Sequence, residues 1–186
     1  MRKPLLVFED IFATPRRKLF RVMRVDVMAT PYAWLSPPFF CALGVLVALV
    51  ETQGTPLESQ VLVGIGYGVM LYLSNIIHSF GHIVAGNIFG TPMDLLLLTA
   101  TRDVTLYLKD QSGYSKWVFI GRSSGGPAAN LLLGILGVVM AKHYGAEWLA
   151  IFGIFNLGIG IWTLCPVPSM DGWVIWGELF RFRRRP

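Results

Sequence analysis

This sequence predicts an α-helical integral membrane protein of about four transmembrane helices, with a small β-hairpin between the second and third. Three observations carry that reading. Hydrophobic residues make up 54% of the 186 residues and charged residues only 15%, and the mean hydropathy is +0.56, a balance foreign to most water-soluble domains. Four apolar segments approach the length of about 20 residues that a helix needs to cross a bilayer. The basic residues gather on one side of those segments.

The chain divides into a basic amphipathic segment at 1–32, a transmembrane domain at 33–176 and a basic tail at 177–186. In the first, Thr14-Pro15 has the form of a helix start, a cap followed by proline in the first turn. Residues 16–28 mix Arg and Lys with Leu19, Phe20, Val22, Met23 and Val27. This mixture predicts a cationic amphipathic helix on the inner leaflet, although a plain topology signal would need the same charges. The first thirty residues show no cleavable signal peptide, since no compact apolar stretch precedes a small-residue site.

The first span is predicted at 33–50, with Pro37-Pro38 near its start, and the second at 61–89, long enough to tilt or protrude. The third follows Pro127 to about 141 and is short, which implies a start within protein or a locally thin bilayer. The fourth runs over 148–164 and stops at Cys165-Pro166. Between the second and third, Leu95–Leu98 and 104–108 are short apolar runs separated by 99–103, and Asp110-Gln111-Ser112-Gly113 follows as a turn. Such a hairpin survives at membrane depth only where protein or water covers its backbone.

Arg2, Lys3, Arg16, Arg17, Lys18, Arg21 and Arg24 precede the first span. Arg102, Lys109, Lys116 and Arg122 lie between the second and third, and Arg181, Arg183, Arg184 and Arg185 close the chain. Of 16 basic residues only Lys142 falls on the other side. The positive-inside rule then places both termini in the cytoplasm and requires an even number of spans. The expected location is a plasma membrane, of the bacterial inner-membrane kind, with membrane lipids as the surroundings. A net charge of +5 does not indicate nucleic acid, because the charges flank the spans as topology demands. Cys41 and Cys165 both sit in apolar segments and match no metal spacing.

The chemistry concentrates in three places. Residues 78–82 read His78-Ser79-Phe80-Gly81-His82. Histidines four apart lie on one helical face, where both imidazoles can reach one metal ion. Histidine is costly in hydrocarbon; helix-packing polar residues, a haem or pigment ligand and a metal site all remain open for this pair alone. In a zinc protease the residue after the first histidine is glutamate, the base that accepts water's proton. Here it is Ser79, whose hydroxyl cannot hold a proton near neutral pH.

The second place is Pro166-Val167-Pro168-Ser169-Met170-Asp171-Gly172. Its carboxylate needs a metal or basic partner at that depth, unless Asp171 caps a helix at the surface. With His78 and His82 it would make three ligands, leaving a fourth position for water. The third is Gly126-Pro127-Ala128-Ala129-Asn130, where small residues allow close helix approach and Asn130 brings an amide into the bundle.

In this order these pieces resemble the site-2 protease family of intramembrane zinc metalloproteases, over about residues 61–176. The resemblance implies a site-2-protease-like core, zinc at His78, His82 and Asp171, Asn130 and Thr163 as polar residues near the centre, and a substrate-binding edge at the strands around 95–108. This chain departs from the family at Ser79, at Thr163 where the family usually has Asn, and at Trp173 where a second Gly is common. All five glutamates lie outside the second span. Losing a general base costs about 10²–10⁴-fold. The expectation is therefore a pseudoprotease that binds a transmembrane partner. A structural accessory subunit of a larger membrane complex and an active zinc endopeptidase are the alternatives.

Overall fold

The computed structural model of the protein describes residues 10 and 13–180. Arg2, Lys3 and the tail residues 181–186, which contribute to the charge asymmetry, lie outside the described residues.

The N-terminal segment is not the amphipathic helix expected at 16–28. Strand β1 covers Arg17–Val22 and β2 covers Val25–Ala29, paired antiparallel. Thr14-Pro15 starts no helix. The turn uses Met23 (φ 46°) and Arg24 (φ 71°), two consecutive left-handed residues of the kind that suits a two-residue hairpin. Strand alternation explains what helical spacing missed. Val25 and Val27 are buried, while Asp26 between them meets Lys18 at 2.7 Å and Arg21 at 3.4 Å across the hairpin.

β3 (Leu95–Leu98) and β4 (Asp103–Leu106) complete a four-stranded sheet ordered β1-β2-β3-β4. β2 runs parallel to β3, and β3 antiparallel to β4. Leu95, Leu97, Val104 and Leu106 form one buried cluster. Leu96 joins Val25, Val27, Met93 and Ile83 in another. Ile83 belongs to the second long helix, so the sheet packs its second face on that helix. In β4 the same alternation turns Asp103 and Thr105 toward the helix side.

The helices are α1 (Ser36–Glu51), α2 (Leu57–Ile88), α3 (Lys116–Tyr144), α4 (Glu147–Thr163) and α5 (Asp171–Leu179). Among the described residues, three helical stretches are long and apolar enough to cross a membrane: Ala33–Glu51, Leu57–Ile88 and Lys116–Tyr144. The fourth expected span, α4, is apolar but shorter, at 17 residues. α1 opens with prolines in its first turn, where no N–H is lost. α2 has 32 residues, about 48 Å at 1.5 Å per residue, well beyond the ~30 Å of a hydrocarbon core. The third helix is not the short segment expected at 127–141; it begins at Lys116. Its first turns escape an apolar reading because they carry Arg122, Ser123 and Ser124, yet Phe119 and Arg122 are buried. It ends on Gly145 in the left-handed region (φ 68°).

Small residues set the helix spacing. A Cβ on Gly44 would strike the Gly64 carbonyl and the Gly68 amide, locking α1 against α2. A Cβ on Gly81 would strike the Gly125 carbonyl, so α2 and α3 touch backbone to backbone one turn from the histidines.

Candidate metal centre

α2 brings His78 and His82 onto one face, and α5 begins with Asp171 opposite them. Between α4 and α5 the chain turns through Pro166 and Pro168 and places Ser169 in the left-handed region (φ 72°). The Arg102 guanidinium donates to the Ser169 carbonyl at 3.2 Å, tying this turn to the β3–β4 loop. Asp171 thus comes from a braced turn rather than a free loop end.

The three side chains converge. His78 Nε2 lies 3.0 Å from Asp171 Oδ2, His82 Nε2 lies 3.3 Å from Asp171 Oδ1, and the two Nε2 atoms are 3.1 Å apart. The outer nitrogens are engaged elsewhere. His82 Nδ1 lies 2.9 Å from the Arg122 carbonyl, which can only accept. His78 Nδ1 lies 3.1 Å from Asn130 Oδ1. That amide is oriented by its other end, since Asn130 Nδ2 donates to the Ser74 carbonyl at 3.1 Å and to Asn156 Oδ1 at 3.1 Å. Both Nδ1 atoms therefore carry hydrogen, and each ring turns its Nε2 toward the other two side chains.

Two imidazole nitrogens 3.1 Å apart, each meeting a different oxygen of one carboxylate at 3.0 and 3.3 Å, need a cation among them, whether shared protons or a metal ion; taking one ligand atom from each residue, the three lie within 4.8 Å of one another. The donor set suits zinc. With zinc–nitrogen bonds of about 2.0–2.1 Å, a tetrahedral site separates its ligands by about 3.3 Å. The outer hydrogen bonds are those that orient metal-binding imidazoles. Gly126 closes the third side, because a Cβ there would lie 2.5 Å from both Nε2 atoms. With Gly126 and Asp171 this near both Nε2 atoms, neither nitrogen has the open space a planar macrocycle needs, which argues against a haem or pigment ligand.

The carboxyl of Asp171 experiences opposing effects. Burial raises its pKa, but the adjacent histidines outweigh burial and hold it below the usual carboxylate range, so it stays anionic.

The expected near-site residues separate. Asn130 is fully buried and touches His78. Thr163 does not join the site; its hydroxyl donates back to the Ile159 and Gly160 carbonyls of its own helix. The amide that completes the polar network is instead Asn156, fully buried, whose Nδ2 donates to Ser74 Oγ at 2.8 Å. A single Asn within the apolar 17 residues of α4 was its available signal.

Ser79 is buried and faces away from solvent. Its hydroxyl donates to Asp103 Oδ2 at 2.6 Å, and Asn75 Nδ2 donates to the same oxygen at 3.2 Å. Among the described residues no glutamate stands in for the base position, but this aspartate, from β4, lies against it. Burial pushes the Asp103 carboxyl up to about 6, although Ser79, Arg102 and Asn75 all favour its charged form.

No family model matches the chain, and no curated protein matches it. Among solved structures it is similar to the site-2 protease from Methanocaldococcus jannaschii, with a TM-score of 0.62 and 16% identity over 91% of this chain and 73% of that one. At such identity the likeness speaks for the fold. The chain has a site-2-protease-like architecture and is an integral membrane protein.

Proposed function

We propose that this site-2-protease-like membrane protein holds one zinc ion at His78, His82 and Asp171 and receives an extended segment of a transmembrane protein partner beside its sheet. The observation that carries the reading is the convergence of the His78, His82 and Asp171 side chains, their ligand atoms within 4.8 Å of one another, with both outer imidazole nitrogens engaged. Zinc bound there supplies Lewis acidity and lowers the pKa of a water at its fourth position. The chain's residues do the rest. Asn130 and the Arg122 carbonyl hold the rings in the binding tautomer. β4, an outer strand, offers backbone N–H and C=O groups to an incoming strand.

With Ser79 in the glutamate's place, the centre is read as a pseudoprotease that holds its partner uncut. A structural subunit of a larger complex would use the same packing without metal. A second reading, an active intramembrane zinc endopeptidase, is favoured by the Asp103 carboxylate at Ser79. In either case α4 serves as the fourth crossing, both termini face the cytoplasm and the host is a plasma membrane. The positive-inside asymmetry supports that orientation.

The test is the metal content of detergent-purified protein beside a His78→Ala control. The reading expects about one zinc per chain, lost in the control. No zinc in either sample after loading would remove it and leave the structural subunit.

A further inference from the structure

The position after the first histidine is where a metal-hydrolase helix carries its base. Ser79 has too short a side chain to supply a carboxylate. Its Oγ is the counterpart of a glutamate's Cγ, one bond beyond Cβ. In glutamate the carboxylate oxygens lie about 2.4 Å beyond Cγ, given bonds of about 1.52 and 1.23 Å. In this protein a carboxylate oxygen, Asp103 Oδ2, lies 2.6 Å beyond Ser79 Oγ. The side chain is in effect split, its stem on α2 and its acid on β4.

The placement is held from several directions. Asp103 ends the β3–β4 loop in register with Leu98, on the sheet face that packs against α2. Asn75, one turn before Ser79, donates to the same oxygen at 3.2 Å. Arg102 beside it interacts electrostatically with both Asp103 and Asp171, and its charge also acts on His82. The carboxylate and the three ligands thus share one charged neighbourhood.

Resting on the second reading, an active zinc endopeptidase centred on His78, His82 and Asp171, and not on the pseudoprotease one, we infer that Asp103, acting through Ser79, replaces the missing glutamate as proton acceptor for peptide hydrolysis. Ser79 Oγ takes the proton of the attacking water as its own proton passes to Asp103 Oδ2. The water oxygen forms the new bond to the peptide carbonyl carbon. When the C–N bond breaks, the proton returns from Asp103 through Ser79 to the amine nitrogen. Both residues end unchanged, and one water is consumed for each bond cut. A carboxyl poised near 6 can accept and return a proton close to neutral pH.

The experiment compares the full chain with Asp103→Asn, Ser79→Ala and the double variant Asp103→Asn/Ser79→Glu in detergent. Each is loaded with zinc and given a transmembrane peptide. Three readouts are taken: zinc per chain, cleavage rate, and the infrared carboxylic-acid band that titrates with pH. The unmodified chain is expected to cleave. Asp103→Asn should keep its zinc, lose cleavage by about 10²-fold or more, and lose one titrating band. Ser79→Ala should shift that band, and Ser79→Glu should restore cleavage without Asp103. Zinc retained with undiminished cleavage in Asp103→Asn overturns the role of Asp103 and leaves the metal centre standing. So does zinc-loaded wild-type protein that cuts nothing, a band unmoved by Ser79→Ala, or no rescue by Ser79→Glu. Absence of zinc from every form removes the metal reading itself.

Discussion

Replacing Gly126 by alanine inserts one methyl group at the tightest point of the metal centre. Its Cβ would lie 2.5 Å from His78 Nε2, 2.5 Å from His82 Nε2 and 2.6 Å from His78 Cε1. Ordinary carbon contacts are about 3.5 Å, so relief requires a displacement of about 1 Å. The helix backbone cannot yield easily, because α3 already touches α2 at Gly125 and Gly81. The histidine rings must move instead, against the Nδ1 hydrogen bonds to Asn130 and Arg122. Overpacking of this kind costs about 1–3 kcal/mol, and a metal site tolerates distance changes of only about 0.2 Å. Zinc affinity should therefore fall by about 10–100-fold. The assay is competition with a chromophoric chelator in detergent, alongside Gly158→Ala, whose new Cβ meets nothing within 4 Å. Unchanged zinc affinity in Gly126→Ala would refute the placement of the metal between these two nitrogens.

Asn130→Leu should remove the acceptor at His78 Nδ1 and leave Asn156 and the Ser74 carbonyl short of partners. Loss of about 1–3 kcal/mol of stability, with weaker zinc binding in the same chelator assay, is the expected result. The raised pKa of Asp103 makes stability pH-dependent. Its ionised form is disfavoured by burial in the folded state, so its contribution is most favourable below the unfolded value of 3.8 and is lost as pH rises through about 6. The span corresponds to about 3 kcal/mol, and melting curves across that window should flatten in Asp103→Asn. Met23→Asn/Arg24→Gly places turn residues where the backbone is left-handed. It should raise the melting temperature by relieving about 1 kcal/mol of strain, whereas an amphipathic helix at 16–28 would be destabilised by the same change.

The membrane character, the first two apolar helices and the histidine pair were legible because each rests on short-range periodicity. Apolar runs report burial in lipid without reference to the rest of the fold, and two histidines at i, i+4 share a helical face wherever that helix goes. The error at 16–28 arose where periodicity is ambiguous. Leu19, Phe20, Val22, Met23 and Val27 suit a loose amphipathic helix, and only pairing of 26–29 with Leu95–Leu98 makes the strand alternation decisive. Thr163 and Asn156 differ for a related reason. A polar residue on an apolar helix can satisfy itself on its own backbone, as Thr163 does, or reach across the bundle, as Asn156 does, and helix rotation decides between them.

By itself the sequence determined that the chain lives in a membrane, that His78, His82 and Asp171 are candidate ligands, and that no glutamate follows the first histidine. Tertiary structure decided which groups meet. Asp103 reaches Ser79 across 24 residues, Asn130 reaches His78 across 52 and Asp171 reaches His78 across 93. Local propensity carries no information about such separations. They follow from how the sheet packs on α2 and how closely α3 approaches it, and that packing set a carboxylate beside a serine that appeared to have lost one.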